Sequence, residues 1–194
     1  AGLLLPTTFN HPLAGPSILG VSPGASLGVA IITLSIRTGL GSMFGITASG
    51  YASILAGAFI GAAIILGILL FFSALVKSNT MLLIIGILVS YLTSSAISIL
   101  NFFATQEGVH SYVIWGLGSF SGVSASQLPA FAIPIATALI AAMLMAKPLN
   151  ALLLGSRYAE SLGVNVKVTR NALLAITGVL TAAVTAFCGP IGFL

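Results

Sequence analysis

Long uncharged stretches, interrupted by short charged breaks, make up most of this sequence. Four runs without a charged residue extend over 39, 29, 39 and 24 residues, and they are Thr38–Val76, Ser78–Gln106, Gly108–Ala146 and Asn171–Leu194. A helix needs about 20 mostly apolar residues to cross the hydrocarbon core of a bilayer. The strands of a membrane β-barrel instead alternate over segments of about ten residues, a pattern that these runs lack. The sequence therefore predicts an all-α, polytopic transmembrane helix bundle.

Turn residues and charged breaks divide the chain into five predicted spans and one shorter helix, all within a single membrane domain. The predicted spans are residues 17–36, 49–76, 81–103, 127–146 and 171–187. Residues 108–121 are too few and too rich in glycine to cross, so they predict a short extracytoplasmic helix. We expect Tyr112 and Trp115 of this helix near the lipid headgroups, where such side chains are enriched.

Small residues recur at every fourth position in the first two predicted spans. The first ladder is Gly20, Gly24 and Gly28, and the second is Ser49, Ser53, Gly57 and Gly61. Such ladders let helix backbones approach closely in lipid. Glycine is also common in membrane helices in general. Two ladders in successive spans nevertheless indicate that the helices pack tightly.

Composition supports the membrane assignment and excludes several classes of protein. Hydrophobic residues make up 58% of the chain and charged residues 4%, and the mean hydropathy is +1.21. An ordinary soluble domain carries about 25% charged residues. The net charge of +4 comes without a basic cluster interleaved with aromatic residues, so we expect no nucleic-acid partner. The single cysteine, Cys188, cannot form a disulfide within the chain and is interpreted as a small packing residue.

One short segment, residues 147–170, carries most of the charge. Its charged residues are five of the eight in the chain: Lys147, Arg157, Glu160, Lys167 and Arg170. Alternation of the spans places this segment and Lys77 on one side of the membrane, with Arg37 and Glu107 on the other. Five of the six basic residues then share a side, which the positive-inside rule assigns to the cytoplasm.

The sequence predicts no catalytic, metal or nucleotide site. The only acids, Glu107 and Glu160, fall on opposite sides of the predicted membrane and cannot act as a pair. His110 has serines nearby, as an intramembrane serine protease would require, but a hydrogen-bonding interfacial histidine is the favoured interpretation. His11 is interpreted as a turn residue rather than a metal ligand. The glycines at 189–192 lack the lysine and hydroxyl of a phosphate-binding loop.

The predicted spans also lack ionisable residues, which gradient-driven carriers usually place there. Energy would then enter from outside the membrane, at residues 147–170. A short helix is predicted at Arg157–Leu162, with Ser156 as its N-cap and Gly163 as its left-handed stop. Two short turns do not hold alone in water, so this helix would be ordered by docking to a partner. A solvated loop is the alternative for the segment, and a gradient-driven carrier or a membrane scaffold are the alternatives for the protein.

Three motifs resemble those of one family of importer permeases. They are LGSRYAESLGVNVKVTRN at Leu154–Asn171, HPLAGPSILGVSPGA at His11–Ala25 and the GPIGF sequence at Gly189–Phe193. Their order and spacing resemble the FecCD/BtuC-like permease subunits of ATP-binding cassette (ABC) importers for iron–siderophore complexes, haem and vitamin B12. Two departures are a histidine at 11, where asparagine is usual, and a proline at 23, a position that is often polar.

The resemblance implies a fold of about ten spans, of which this chain would be the middle part. It further implies a homodimeric, multi-pass permease in the bacterial cytoplasmic (inner) membrane, surrounded by lipid. Two ATP-binding subunits and an extracytoplasmic solute-binding protein would be its partners. The permease would not be an enzyme, because ATP and Mg²⁺ would be bound by the partner ATPase and this subunit would hold no cofactor. The cargo would be an iron chelate or cobalamin.

The resemblance also assigns roles to residues. Within the cytoplasmic loop at 147–170, coupling to the ATPase would fall to Gly155, Ser156, Arg157, Tyr158, Ala159, Glu160, Ser161, Leu162 and Gly163. The cytoplasmic end of the translocation path would be lined by Ser22, Pro23, Gly24, Ser78, Asn79 and Thr80. Lys167 and Arg170 would anchor the following span at the membrane surface.

Overall fold

A computed structural model of the chain describes residues 20–35, 51–76, 78–119 and 127–190. Eight α-helices and no strands occupy these ranges. The helices are α1 (Val21–Ser35), α2 (Tyr51–Leu75), α3 (Asn79–Phe103), α4 (Gln106–Gly116), α5 (Leu128–Leu144), α6 (Ala146–Leu153), α7 (Ser156–Ser161) and α8 (Val166–Cys188). Predictions made for His11, Arg37, Ser49 and Lys77 lie outside the described residues. The chain is an all-α bundle.

Three of these helices, α2, α3 and α8, are long and apolar enough to cross a membrane. A fourth span results if α5 and α6, which bend by 55° at their junction, are counted as one. α1 has 15 residues, or about 22 Å at 1.5 Å per residue, which is shorter than a hydrocarbon core of about 30 Å. The protein is therefore a multi-pass membrane protein, and the first predicted span is represented by a shorter helix.

The helices α1 and α8 lie at the centre of the bundle. α1 packs against α2, α3, α4 and α8, and α8 also packs against α5. The centre of α8 contains threonines, whose hydroxyls bond to its own backbone: Thr177 Oγ1 donates to Leu173 O at 2.8 Å, and Thr181 Oγ1 donates to Thr177 O at 2.8 Å. Such internal bonds let polar residues occupy a region without water.

The two small-residue ladders meet where α1 crosses α2. A Cβ added to Gly24 would lie 3.0 Å from Gly61 O, and one added to Gly57 would lie 2.9 Å from Gly28 O. A Cβ added to Gly28 would overlap the backbone of Gly57. The two backbones approach this closely because neither helix carries a side chain at these positions. Ser53, the other ladder residue described on α2, is buried.

Aromatic side chains and the loop after α4 define one end of the bundle. Phe187 near the end of α8 packs edge-on against Phe59 of α2 and Phe131 of α5, with ring centroids 6.1 and 5.1 Å apart. Ser119 N donates to Cys188 O at 2.8 Å. Cys188 is buried, in agreement with its interpretation as a packing residue.

The short helix α4 docks against this end of the bundle through its aromatic residues. Tyr112 and Trp115 are half-buried and pack against the core. Their depth relative to the lipid headgroups stays a prediction. Burial raises the pKa of Tyr112 above its ordinary value, and a hydrogen bond with Ser26 of α1 opposes that change. α4 is therefore held to α1 as well as to the end of α8.

The predicted loop at 147–170 is largely helical. It contains nearly all of α6, all of α7 and the first turn of α8, which begins at Val166 rather than at residue 171. Asn165 caps this earlier start, since its Oδ1 accepts from Val168 N at 3.2 Å. Charge had suggested a loop up to residue 170, but Lys167 and Arg170 both lie on the helix.

Candidate functional site

The end of α2, the start of α3 and the start of α8 lie together with α6 and α7, at what we call the polar end of the bundle. Arg170 on α8 donates from its guanidinium to the carbonyl of Val76, just after α2, at 2.9 Å. The opposite ends of α2 and α8 meet at the Phe59–Phe187 contact, so these two helices are antiparallel. Most described charged residues, from Lys147 to Arg170, are therefore at one end.

The helix α7 is a six-residue helix bounded by two glycines with positive φ. Gly155 has φ 107° and Gly163 has φ 80°, both in the region that favours glycine. A Cβ would meet nothing within 4 Å at either position, so the requirement is conformational rather than steric.

The beginning of α7 differs from the prediction. Gly155, not Ser156, occupies the N-cap position, and no side chain caps the helix there. Ser156 is instead the first helical residue, because the positive φ of Gly155 already turns the chain into the helix.

A Schellman motif closes the other end of α7. Val164 N donates to Ala159 O at 3.0 Å, and Gly163 N donates to Glu160 O at 3.0 Å. This is the pair of bonds that follows a helix when a left-handed residue ends it. Gly163 therefore lies at the left-handed stop, as expected from the sequence.

One face of α7 is attached to the bundle and another is open. Ala159 is 0% exposed and packs in a cluster with Leu152 of α6 and Leu173 of α8. Tyr158 and Leu162, one helical turn apart, are 51% and 59% exposed. The side chains of Ser156 and Arg157 lie outside the described residues. α7 thus presents an aromatic and an aliphatic side chain on a base that is fixed to α6 and α8.

Arg170 does not anchor α8 at the membrane surface, as the sequence suggested, because it is only 3% exposed. Its guanidinium donates to the carbonyls of Ser73 and Val76. The last carbonyls of a helix lack partners within the helix and carry partial negative charge, so a buried cation is stabilised there. These carbonyl acceptors lie inside the bundle, and the sequence does not show them. Lys167, one turn earlier, is exposed.

A second polar contact lies beside the guanidinium. The hydroxyl of Ser73, which is itself buried, donates to Oδ1 of Asn171. Two successive residues of α8 therefore bond to the last turn of α2. The sequence did not predict this contact. The only sign of it in the sequence is the Arg170–Asn171 pair at the start of an apolar run.

The predicted path residues do not form one group. Ser78 caps α3, its Oγ accepting from Met81 N at 3.5 Å, and Asn79 and Thr80 begin that helix at the polar end. Ser22, Pro23 and Gly24 instead form the first turn of α1.

The first turn of α1 lies deep in the bundle. A Cβ on Gly20 would lie 3.0 Å from Ser90 Oγ, near the middle of α3, and one on Gly24 would meet Ile65 of α2. Ile65 is about ten residues, or roughly 15 Å, from the end of α2. Ser22, Pro23 and Gly24 therefore lie deeper in the bundle than Ser78, Asn79 and Thr80, a depth that the sequence does not show. That either group lines a translocation path stays a prediction.

The described residues show no alternative centre for chemistry. Among them, no three His, Cys, Asp or Glu residues come together as a metal site would need. His110 is exposed on α4, and the neighbouring Ser111 hydroxyl donates to its own helix at Glu107 O, 2.9 Å away. These residues are not arranged as a nucleophile and its base.

Comparison with known proteins finds one matching family and several similar proteins. The profile described as the FecCD transport family matches residues 1–194. The hemin transport system permease protein HmuU of Yersinia pestis is 31% identical over 195 residues, covering 100% of this chain and 57% of that protein. The vitamin B12 import system permease protein BtuC of Salmonella typhimurium is 33% identical over 196 residues, covering 100% of this chain and 56% of that protein.

A solved structure agrees with these relatives. A metal-chelate type ABC transporter in an inward-facing conformation superposes with a TM-score of 0.80 at 29% identity, covering 98% of this chain and 58% of the other. The chain thus spans a little more than half the length of the proteins it matches. The resemblance drawn from the three motifs is confirmed.

Proposed function

We propose that this chain, which belongs to the FecCD transport family, is part of the permease subunit of an ABC importer. The cargo would be a metal chelate such as an iron–siderophore complex or haem, or cobalamin; the names of the similar proteins support this class. The permease would work as a homodimer in the bacterial inner membrane, with two ATP-binding subunits and a solute-binding protein. It would hydrolyse nothing itself, and ATP and Mg²⁺ would bind to the partner.

The arrangement of α7 carries this proposal. A free two-turn helix would not be stable in water. Here glycines in the left-handed region bound it, and Ala159 packs it onto α6 and α8. Its exposed Tyr158 is the kind of side chain that anchors an interface, and the exposed Leu162 adds apolar contact area one turn away. α7 would be the coupling helix on which the ATP-binding subunit docks, and the polar end would face the cytoplasm.

The α2–α3 turn would form the inner gate of the translocation path. Ser78, Asn79 and Thr80 lie at the same end as α7, where movement of the ATP-binding subunits would be received. The first turn of α1, at Ser22–Gly24, would face the path at a deeper level.

Energy from ATP rather than from an ion gradient suits the described spans. Arg170 is an ionisable residue inside the helix α8, but backbone carbonyls at the polar end hold it. A proton or sodium relay would need titratable groups along the path. Within the described parts of α2, α3 and α5 there is no Asp, Glu, Lys, Arg or His.

Reconstitution tests the proposal directly. The intact permease, its ATP-binding subunit and its binding protein are placed in proteoliposomes with a radiolabelled iron chelate or cobalamin. We expect uptake to require ATP on the side of the membrane that carries the ATP-binding subunits. Uptake should persist when ionophores dissipate the ion gradients. Uptake that survives without ATP hydrolysis but collapses with the ion gradient would contradict the proposal.

Truncation of the exposed face of α7 tests the role of this helix. The double variant Tyr158→Ala, Leu162→Ala should weaken binding of the ATP-binding subunit by at least about tenfold, since interface anchors cost more than about 1.4 kcal/mol when truncated. Tyr91→Ala is the control, because Tyr91 is an exposed aromatic in the middle of α3. Equal affinity of the double variant and the wild type would remove α7 from the interface.

A further inference from the structure

A continuous set of contacts connects α7 to the α2–α3 turn. The first link joins α7 to α8. Ala159 and Leu173 are both fully buried in the cluster that also contains Leu152 of α6. Val164 ends the Schellman turn, and only Asn165 separates it from Val166, the first residue of α8. A displacement of α7 therefore moves the first turns of α8, because no flexible linker separates them.

The second link joins α8 to α2. Arg170 lies one helical turn before Leu173 and donates to the carbonyls of Ser73 and Val76. Asn171 accepts from the Ser73 hydroxyl. These bonds are directional and largely shielded from water, so they are stronger than the same bonds at a surface. The end of α2 is thus fastened to the first turn of α8 by two adjacent side chains.

The third link joins α2 to α3. Val76 N donates to Phe72 O at 2.8 Å, so Val76 continues the hydrogen bonding of α2 although it follows the last helical residue. Ser78, two residues later, already caps α3. The turn is too short to move independently of the carbonyl that Arg170 holds.

We propose that Arg170 and Asn171 are positioning residues: by holding the end of α2 to α8, they make the α2–α3 turn follow the movement of α7. This inference rests on the proposed function, in which α7 receives the movement of the ATP-binding subunit and the turn is the inner gate. Without the guanidinium, α7 still docks and ATP is still hydrolysed, but the end of α2 is no longer pulled with α8. The expected defect is therefore uncoupling rather than loss of assembly.

Three variants separate this role from general stability. Arg170→Met removes the guanidinium that donates to both carbonyls, and Arg170→Lys retains the charge with a point-like ammonium that lacks the planar fork of arginine. Lys167→Met is the matched control, because it removes a basic residue that lies exposed one turn earlier on the same helix. All three are measured in the intact importer in proteoliposomes, in a background from which the native cysteines, Cys188 included, have been removed.

Two measurements are made on each variant. The first is uptake per ATP hydrolysed. The second is the rate at which a maleimide labels the Thr80→Cys variant, whose position is exposed, with and without ATP and vanadate. We expect Arg170→Met to lower uptake per ATP at least tenfold and to abolish the nucleotide-dependent change in labelling. Arg170→Lys should lie between it and the wild type, and Lys167→Met should match the wild type.

Each outcome decides the inference. Wild-type uptake per ATP and wild-type labelling changes in Arg170→Met would overturn it. If Arg170→Met does not assemble, Arg170→Lys decides by the same criteria, since it keeps a cation at the helix end. A parallel loss of uptake and hydrolysis, with the labelling change retained, would also overturn it. Absence of ATP-driven uptake by the wild type would instead contradict the proposed function, so the two failures are distinguishable.

Discussion

A single methyl group at the crossing of α1 and α2 should destabilise the bundle. In Gly28→Ala the new Cβ would overlap the Gly57 carbonyl group and lie 3.2 Å from Gly61 Cα. All of these are backbone atoms of a regular helix, so no flexible side chain can yield. The two helices would have to separate by about 1 Å, and a gap of 0.5–1 Å removes roughly a quarter to a half of the dispersion energy at a contact.

The size of the effect follows from opposing contributions. Overpacking in a tight site costs about 1–3 kcal/mol, and rigid backbone places this site near the upper value. Alanine gains about 1 kcal/mol over glycine in a helix interior. The net loss in the free energy of unfolding should then be about 2 kcal/mol. Gly67→Ala on α2 is the control, because its Cβ would meet nothing within 4 Å and only the gain applies.

Unfolding of the intact permease in mixed micelles measures both variants. The fraction of sodium dodecyl sulfate is increased, loss of native structure is followed by circular dichroism, and reversibility is checked by dilution. We expect Gly28→Ala to unfold at a lower detergent fraction and Gly67→Ala at the wild-type fraction or above. Equal stability of the two variants would refute the reasoning that close backbone contact, rather than glycine itself, matters at Gly28.

Three further changes have defined expected outcomes. Gly163→Val should introduce about 1–3 kcal/mol of backbone strain at the left-handed end of α7 and reduce co-purification of the ATP-binding subunit. Gly163→Asn should retain co-purification, since asparagine tolerates this conformation. Gly178→Ala should lower the free energy of unfolding by less than about 1 kcal/mol in the same assay, because the three atoms nearest to its Cβ all belong to the movable Leu66 side chain. Ser73→Ala should lower the free energy of unfolding by about 1–3 kcal/mol, because Asn171 Oδ1 loses its donor in the interior. If the effects of Ser73→Ala and Asn171→Ala simply add in a double-mutant cycle, this hydrogen bond contributes no energy.

The sequence predicted the glycine contacts better than the helix ends. The two ladders were visible because a four-residue period places small residues on one face of a helix. The start of α8 was placed too late, since charged residues were read as the end of a loop. Lys167 and Arg170 are nevertheless helical, because Asn165 caps the helix before them and Arg170 finds carbonyl acceptors.

The site was predictable in its parts but not in its assembly. The glycines at 155 and 163 marked a short helix, and the structure has α7 between them. The role of Gly155 as N-cap was missed, since a serine follows it and serine is the commoner cap. Arg170 was taken for a surface anchor, because a basic residue beside an apolar run usually reaches the headgroups.

The sequence alone determined that this is a helical membrane protein and which family it belongs to. These conclusions depend on local composition and on short motifs, because a bilayer requires each crossing helix to satisfy its own backbone. Only the tertiary structure decided how deep α1 begins, and that Arg170 bonds to carbonyls on α2, 97 residues away in sequence at Ser73. A backbone carbonyl exists at every residue, so the sequence carries no mark of which one an arginine will meet.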